Sequence, residues 1–343
     1  ARPGPARAGT RRGIVANGRR ALVRRMDPVA AQYEAYPYPA RDPVDEAKRL
    51  IAGSPSDPAE IDHFLFGGRR DWRAPFRALV AGGGTGDGLI MLAQKLKDAG
   101  AQAEITYLDL SAASRRIAEA RAAARGLDSI RFLSGDLLSA PDHGPFDYID
   151  CTGVLHHLPD PQAGFDALAA AVAEGGGLGA MVYAPLGRTG VYPLQAAFAV
   201  LTEGEAPEAK VAAAKAALAA LPKTNWLLKN PHVVDHRNGD AGLYDLLLHS
   251  RDRPFEAKDV RAAVAAAGLD FVSFTEPLRY DPALYLPEPL RARAAKLPAP
   301  EREALAERLS GNMKVHVFYA GKGARKPAGA TAEARPRLAA GLA

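Results

Sequence analysis

Val80-Ala81-Gly82-Gly83-Gly84-Thr85-Gly86-Asp87-Gly88 is the stretch on which the reading of this chain turns. Before it, residues 77–82 form a short apolar run that reads as a strand. After it, residues 89–99 read as a helix. Glycines at such a junction let the chain turn tightly and let a ligand approach bare backbone. The helix N-terminus beyond adds free N–H groups and a positive partial charge. A nucleotide-like ligand suits that geometry.

Working outward, residues 104–110 (EITYLDL) predict a strand that ends in a carboxylate. Ser111 caps a helix over 112–125, closed by Gly126. Residues 130–134 give a third strand, followed by Gly135-Asp136; 146–151 give a fourth, 161–173 a helix and 177–183 a fifth strand. Apolar runs alternating with helices imply a parallel sheet covered on both faces. After Ala184 the pattern changes. Residues 185–254 hold an Ala-rich helix near 206–221 and a polar segment with His232, Asp235, His236, Tyr244 and His249. The β/α pattern returns with a helix at 256–267, a strand at 270–275 and a last strand at 313–320. The two late strands suggest a hairpin-like addition at the sheet edge. The organisation expected is a basic tail (1–25), an N-terminal arm or lid (26–76), a nucleotide-binding core (77–184), an acceptor-side cap (185–254), completion of the sheet (255–321) and a disordered tail (322–343).

The dinucleotide fingerprint G-x-G-x-x-G fails at each start, because Asp87 and Leu89 stand where its third glycine belongs. The phosphate loop ending in Gly-Lys-Ser/Thr is also missing. What fits is Gly82-x-Gly84-x-Gly86, which resembles the first motif of class I methyltransferases, enzymes that bind S-adenosylmethionine (AdoMet). Three further sites agree in order: Asp109 at the end of the second strand, Gly135-Asp136-Leu137 after the third, and Phe146-Asp147-Tyr148-Ile149-Asp150-Cys151-Thr152-Gly153-Val154-Leu155-His156-His157-Leu158-Pro159-Asp160-Pro161 at the fourth. The resemblance implies a Rossmann-like α/β fold with a mostly parallel seven-stranded sheet, its last strand antiparallel, and a mainly helical insertion after strand five. It implies AdoMet contacts at Gly82, Gly84, Gly86, Asp109, Leu110, Asp136, Leu137 and Cys151, with Asp109 accepting from the ribose hydroxyls. One departure is Val80, because class I enzymes often carry an acid two residues before the first glycine. Without it, support of the loop falls to other groups.

Gln32-Tyr33-Glu34-Ala35-Tyr36-Pro37-Tyr38-Pro39 and Asp245-Leu246-Leu247-Leu248-His249-Ser250-Arg251-Asp252-Arg253-Pro254-Phe255 resemble segments of a bacterial methyltransferase family often fused to tetratricopeptide repeats, though no repeats precede the domain here. Tyr33, Tyr36 and Tyr38 have two readings: an aromatic lid over the cationic end of AdoMet, with Tyr33 and Tyr38 as cofactor contacts, or packing of the arm onto the core. His249, His156 and Tyr244 are the candidate catalytic residues, the histidines as bases for a protonated acceptor. Asp245, Arg251, Asp252 and Arg253 can also satisfy one another locally. Cys151 reads otherwise as a buried strand-end thiol. His232 and His236 lie in a loop-like stretch, and no metal site is expected.

Composition narrows the function. The chain has 44 basic and 39 acidic residues, a net charge of +5. Residues 1–25 carry +8 and 322–343 carry +4, which leaves −7 for the stretch between. That acidic body disfavours nucleic acid, as does the lack of an Asp/Asn-Pro-Pro-Tyr/Phe or Pro-Cys motif at strand four. No apolar run approaches the roughly 20 residues of a membrane span. A single cysteine suits a reducing cytoplasm. The Arg-rich, acid-free start reads as a transit peptide or, preferred here, as an extension ahead of a native start at Met26. The reading is therefore AdoMet-dependent methyl transfer to oxygen or nitrogen of a small-molecule acceptor. A protein side chain is the alternative acceptor, and a non-catalytic AdoMet sensor the alternative class. Oligomeric state stays open.

Overall fold

A computed structural model describes residues 27–323 together with 327 and 329. The expected basic tail at 1–25, Met26 and most of 322–343 lie outside the described residues. The N-terminal arm holds α1 (Pro28–Ala35) and α2 (Pro58–Leu65). Both start with an Asp that accepts a backbone N–H and a proline in the first turn, a pairing that satisfies a free donor and pre-sets φ.

The sheet then alternates with helices: β1 (Phe76–Ala81), α3 (Asp87–Asp98), β2 (Ala103–Asp109), α4 (Ala112–Ala124), β3 (Ile130–Ser134), β4 (Phe146–Thr152), α5 (Pro161–Ala171) and β5 (Val172–Tyr183). Next come α6 (Val191–Leu201), α7 (Pro207–Ala220), α8 (Trp226–Lys229) and α9 (Gly239–Leu247), then α10 (Ala257–Ala266), β6 (Asp270–Phe274), α11 (Leu290–Ala294), α12 (Ala299–Ser310) and β7 (Val315–Gly321). Strand order is β3-β2-β1-β4-β5-β7-β6, with β7 antiparallel to both its neighbours. The two late strands do pair, and it is β7 that wedges between β5 and β6.

The largest boundary shift is at β5. The helix expected over 161–173 stops at Ala171, and β5 starts at Val172, five residues before the expected strand. Val172 pairs with Phe146, and a register shift follows before Tyr148 meets Gly177. Pairing of the buried Val172 overrides the helix preference of the Ala-rich run around it.

Apolar side chains pack on both faces of the sheet. One cluster joins Ile149, Phe165, Leu178, Val260 and Phe318; the other joins Phe64, Leu79's neighbours Ala78 and Val80, Leu92, Tyr107 and Tyr148. A third cluster belongs to α6 through α9, with Phe198, Val211, Leu227 and Leu247 buried and Tyr36 of the arm packed against it. The segment between β5 and α10 thus carries a core of its own. Among the described residues, no helix is long and apolar enough to cross a membrane.

Candidate active site

A cavity of about 270 Å³ opens where the parallel strands end. The chain reverses there at Gly82, Gly84 and Gly86, with φ of +68°, +50° and +100°, values that L side chains rarely adopt. At Gly82 space is also decisive: an added Cβ would sit 2.3 Å from Val154 Cγ2. The loop therefore lies directly on the turn that follows β4.

Asp109 ends β2 beside this loop. Its carboxylate accepts the Gly84 N–H at 2.7 Å and the Ser111 N–H at 2.8 Å, one on each oxygen. Burial pushes its pKa up, and those backbone donors oppose the rise. Each carboxylate oxygen keeps a second lone pair for a hydroxyl donor. Leu110, large, apolar and 44% exposed, lines the same cavity with Asp136 and Leu137. Asp136 caps the following turn through one oxygen, accepting the Leu138 N–H.

These residues fit AdoMet. The glycine turn offers close backbone approach, Asp109 has lone pairs for two ribose hydroxyls, and Leu110 offers an apolar surface for a base. Arg41 and Arg121 brace the loop from behind, both bonding Asp87 in the first turn of α3.

The opposite end of the cavity has different chemistry. Tyr33 and Tyr38 come from the arm, His157 from the turn after β4, Tyr183 from the end of β5 and Asp245 from α9. Tyr33 donates its hydroxyl to Asp245 Oδ1 at 3.0 Å, and Tyr183 donates to Oδ2 at 3.3 Å. Burial pushes Asp245 up to about 6, against the lowering effect of these two donors. His249 accepts the Arg251 N–H on Nδ1, which leaves its proton on Nε2, 3.3 Å from the Tyr33 hydroxyl oxygen. His157 donates Nδ1–H to the Arg251 carbonyl at 2.7 Å, which leaves a lone pair on Nε2. Burial lowers the His157 pKa to about 4, so its ring is neutral at physiological pH.

Several expected site residues sit elsewhere. Cys151 is buried in the core and does not line the cavity. Side chains alternate along a strand, so Asp150 and Thr152 face the cavity while Cys151 faces the other way. His156 is fully buried behind the wall, with Nδ1 accepting the Tyr183 N–H. The three-residue turn Leu155–His157 is a 3-10 helix, whose successive side chains diverge by roughly a third of a turn. Only one of the two histidines can face the cavity, and it is His157.

Tyr244 likewise packs into the core of the inserted block, stacked on Tyr36 with ring centroids 5.0 Å apart. One residue on, about 100° around the helix, Asp245 reaches the cavity instead. His249 lies just behind the wall, stacked on His157 with centroids 3.8 Å apart. Nor do the acids and arginines near it form a mutual network. Asp245 bonds tyrosines, Asp252 pairs with Arg188 at 3.1 Å, and Arg251 pairs with Asp27 at 3.4 Å. A signal for Asp245 was present, since it is a lone carboxylate inside Leu243-Tyr244-Asp245-Leu246-Leu247.

Among the described residues, His157, Asp245 and His249 bring three potential metal ligands together. The two rings are stacked within 14° of parallel, so their in-plane lone pairs cannot converge on one ion. The proton on His249 Nε2 closes that atom as a ligand as well.

A sheet of order 3-2-1-4-5-7-6, a glycine turn after β1 and a carboxylate ending β2 together define a class I AdoMet-binding fold. The sequence profile described as "Methyltransferase domain" matches residues 79–178. The chain belongs to the class I AdoMet-dependent methyltransferase family and binds S-adenosylmethionine. It is 30% identical over 314 residues to the Uncharacterized protein syc1184_c of Synechococcus sp., covering 86% of this chain and 71% of that protein. It also resembles PKMT2 from Rickettsia typhi, with a TM-score of 0.60 and 14% identity over 77% of this chain. The match to the same protein in complex with AdoHcy has a TM-score of 0.57 and 13% identity over 79% of this chain. This chain spans about half of the Rickettsia protein, 52% and 53% in the two structures. At such identity the likeness is one of fold.

Proposed function

We propose that the protein transfers a methyl group from AdoMet to an oxygen or nitrogen of a small-molecule acceptor held among Tyr33, Tyr38, His157, Tyr183 and Asp245. The observation that carries this reading is the Tyr33–Asp245 hydrogen bond, which ties the N-terminal arm to the inserted block across 212 residues of chain. It closes a roof over the acceptor end. The cavity, about 270 Å³, lies just below the roughly 300–1,000 Å³ range of small-molecule pockets. That space has to take the reacting part of the acceptor together with AdoMet, which favours a small acceptor over a folded one.

When bound, AdoMet supplies a methyl group made electrophilic by the adjoining sulfonium. The residues around the acceptor hold it in place, keep water out and receive its proton. His157 Nε2 is a neutral hydrogen-bond acceptor, oriented by its bond to the Arg251 carbonyl. Asp245 is charged above about pH 6 and still has lone pairs beyond those its two tyrosines occupy. An acceptor O–H or N–H placed between them loses its proton to the carboxylate as the new bond forms.

The test uses radiolabelled AdoMet, cell extract and purified protein, with products separated by size. Label in the small-molecule fraction, lost in Asp245→Asn, is the expected result. Label in macromolecules would replace this reading with a protein acceptor. AdoMet binding without any labelled product would point to a sensor.

A further inference from the structure

Val80 stands where class I enzymes often place an acid. The strand register shows what lies beside it: Val80 pairs with Asp150 of β4. Adjacent strands are roughly 4.8 Å apart, so an acid moved from one to the other stays beside the same glycine turn. Asp150 lines the cofactor cavity and is 1% exposed. Its Oδ2 accepts the Ser56 hydroxyl and its Oδ1 accepts the Thr152 hydroxyl at 2.7 Å. A Cβ added to Gly88 would fall 3.0 Å from Oδ2 and 2.6 Å from Ser56 Oγ, so the carboxylate rests against the first turn of α3.

Among the described residues, three buried carboxylates outside the cavity have a basic partner, whereas Asp245, which lines the same cavity as Asp150, accepts only tyrosine hydroxyls. Glu46 has Arg121 and Arg125, Asp252 has Arg188, and Glu307 has His316. Among the described residues, no Lys, Arg or His pairs with Asp150. Two neutral hydroxyl donors offset only part of the cost of burying a carboxylate. Its missing counter-charge points toward a ligand, and the cavity it lines is the one that receives AdoMet.

We propose that Asp150 receives the α-ammonium group of the methionyl part of AdoMet, serving from β4 in place of the acid absent from β1. Asp150 is a cofactor-positioning residue, and this role is independent of the acceptor.

The test compares two ligands by calorimetry on the full chain: AdoHcy, and 5′-methylthioadenosine, which keeps the nucleoside thioether but lacks the amino-acid portion. Loss of one charge-assisted hydrogen bond predicts that Asp150→Asn weakens AdoHcy binding roughly tenfold to hundredfold. Affinity for 5′-methylthioadenosine should stay unchanged. Returning the acid to β1, in Val80→Asp with Asp150→Val, should restore AdoHcy affinity. If that double variant does not fold, the near-isosteric Asp150→Asn decides the matter alone, its folding checked by circular dichroism. Unchanged AdoHcy affinity in Asp150→Asn would overturn the proposal. So would parallel loss of both ligands, which would make Asp150 a prop for the loop rather than a partner of the ammonium.

Discussion

Asp245→Asn should stabilise the ligand-free protein at pH 8 while impairing methyl transfer. The carboxyl is buried, and its pKa rises from the ordinary 3.8 to about 6. Each tenfold change in proton affinity is worth about 1.36 kcal/mol, so the rise from 3.8 to about 6 amounts to about 3 kcal/mol. Between these two values the folded protein keeps a proton that the unfolded chain has released. Stability therefore falls as pH rises through that window, and the loss is complete above the folded value. Asn at this position has no proton to lose. The stability gap between variant and wild type should thus widen from pH 4 to pH 8 by up to about 3 kcal/mol. The three buried histidines near Asp245 titrate in both proteins, so their contributions largely cancel in the difference. Thermal or urea unfolding across that pH range, without AdoMet, measures the gap directly. A gap that stays flat with pH would refute the claim that burial has raised this carboxyl.

Asp109→Ala removes the acceptor assigned to the ribose hydroxyls, and calorimetry should show AdoMet affinity at least about tenfold weaker; unchanged affinity would contradict that assignment. Arg188 sits over the Tyr183 ring at 3.7 Å and pairs with Asp252, whose side chain is 0% exposed. Arg188→Leu strands that carboxylate and should cost about 3–5 kcal/mol of unfolding free energy, where an unaltered midpoint would argue against the pair. Burial raises the Cys151 thiol well above its ordinary pKa, so a thiol reagent should label the protein only after denaturation; prompt labelling of the folded protein would contradict its place in the core.

The two halves of the site differ in how far they could be read from the sequence. Asp109 ends a strand and Gly82, Gly84, Gly86 and Asp136 lie in the turns just beyond one, and the alternation of strands and helices fixes where those ends are. Their positions follow from local pattern alone. The proposed acceptor half depends on rotational phase over single turns. His156 and His157 are adjacent in sequence, and the 3-10 turn alone decides which one meets the cavity. Tyr244 and Asp245 are separated by one step of α9, and packing of α9 against α6 and α7 selects its buried face. No periodicity in so short a stretch encodes that phase. The pairing of Tyr33 with Asp245 is a tertiary event across most of the chain.

Charge separates the acceptors that remain. Among the described residues, the charged side chains lining the cavity are Asp87, Asp109, Asp136, Asp150 and Asp245, with no Lys or Arg. Asp87 is neutralised from behind by Arg41 and Arg121, Asp109 is assigned to the ribose, and Asp136 lies beside the apolar pair Leu110 and Leu137. Asp150 is proposed for the ammonium. Only Asp245 remains at the proposed acceptor end, among three phenols and a neutral imidazole. A phosphate or carboxylate on the acceptor would meet a buried negative charge with no counter-ion in the wall. The net −7 of the stretch between the tails adds a repulsive field outside the cavity. The positive charge of the tails is a poor guide to what reaches this site. Under the proposed function, a neutral or basic acceptor fits the lining, and a polyanion such as nucleic acid does not.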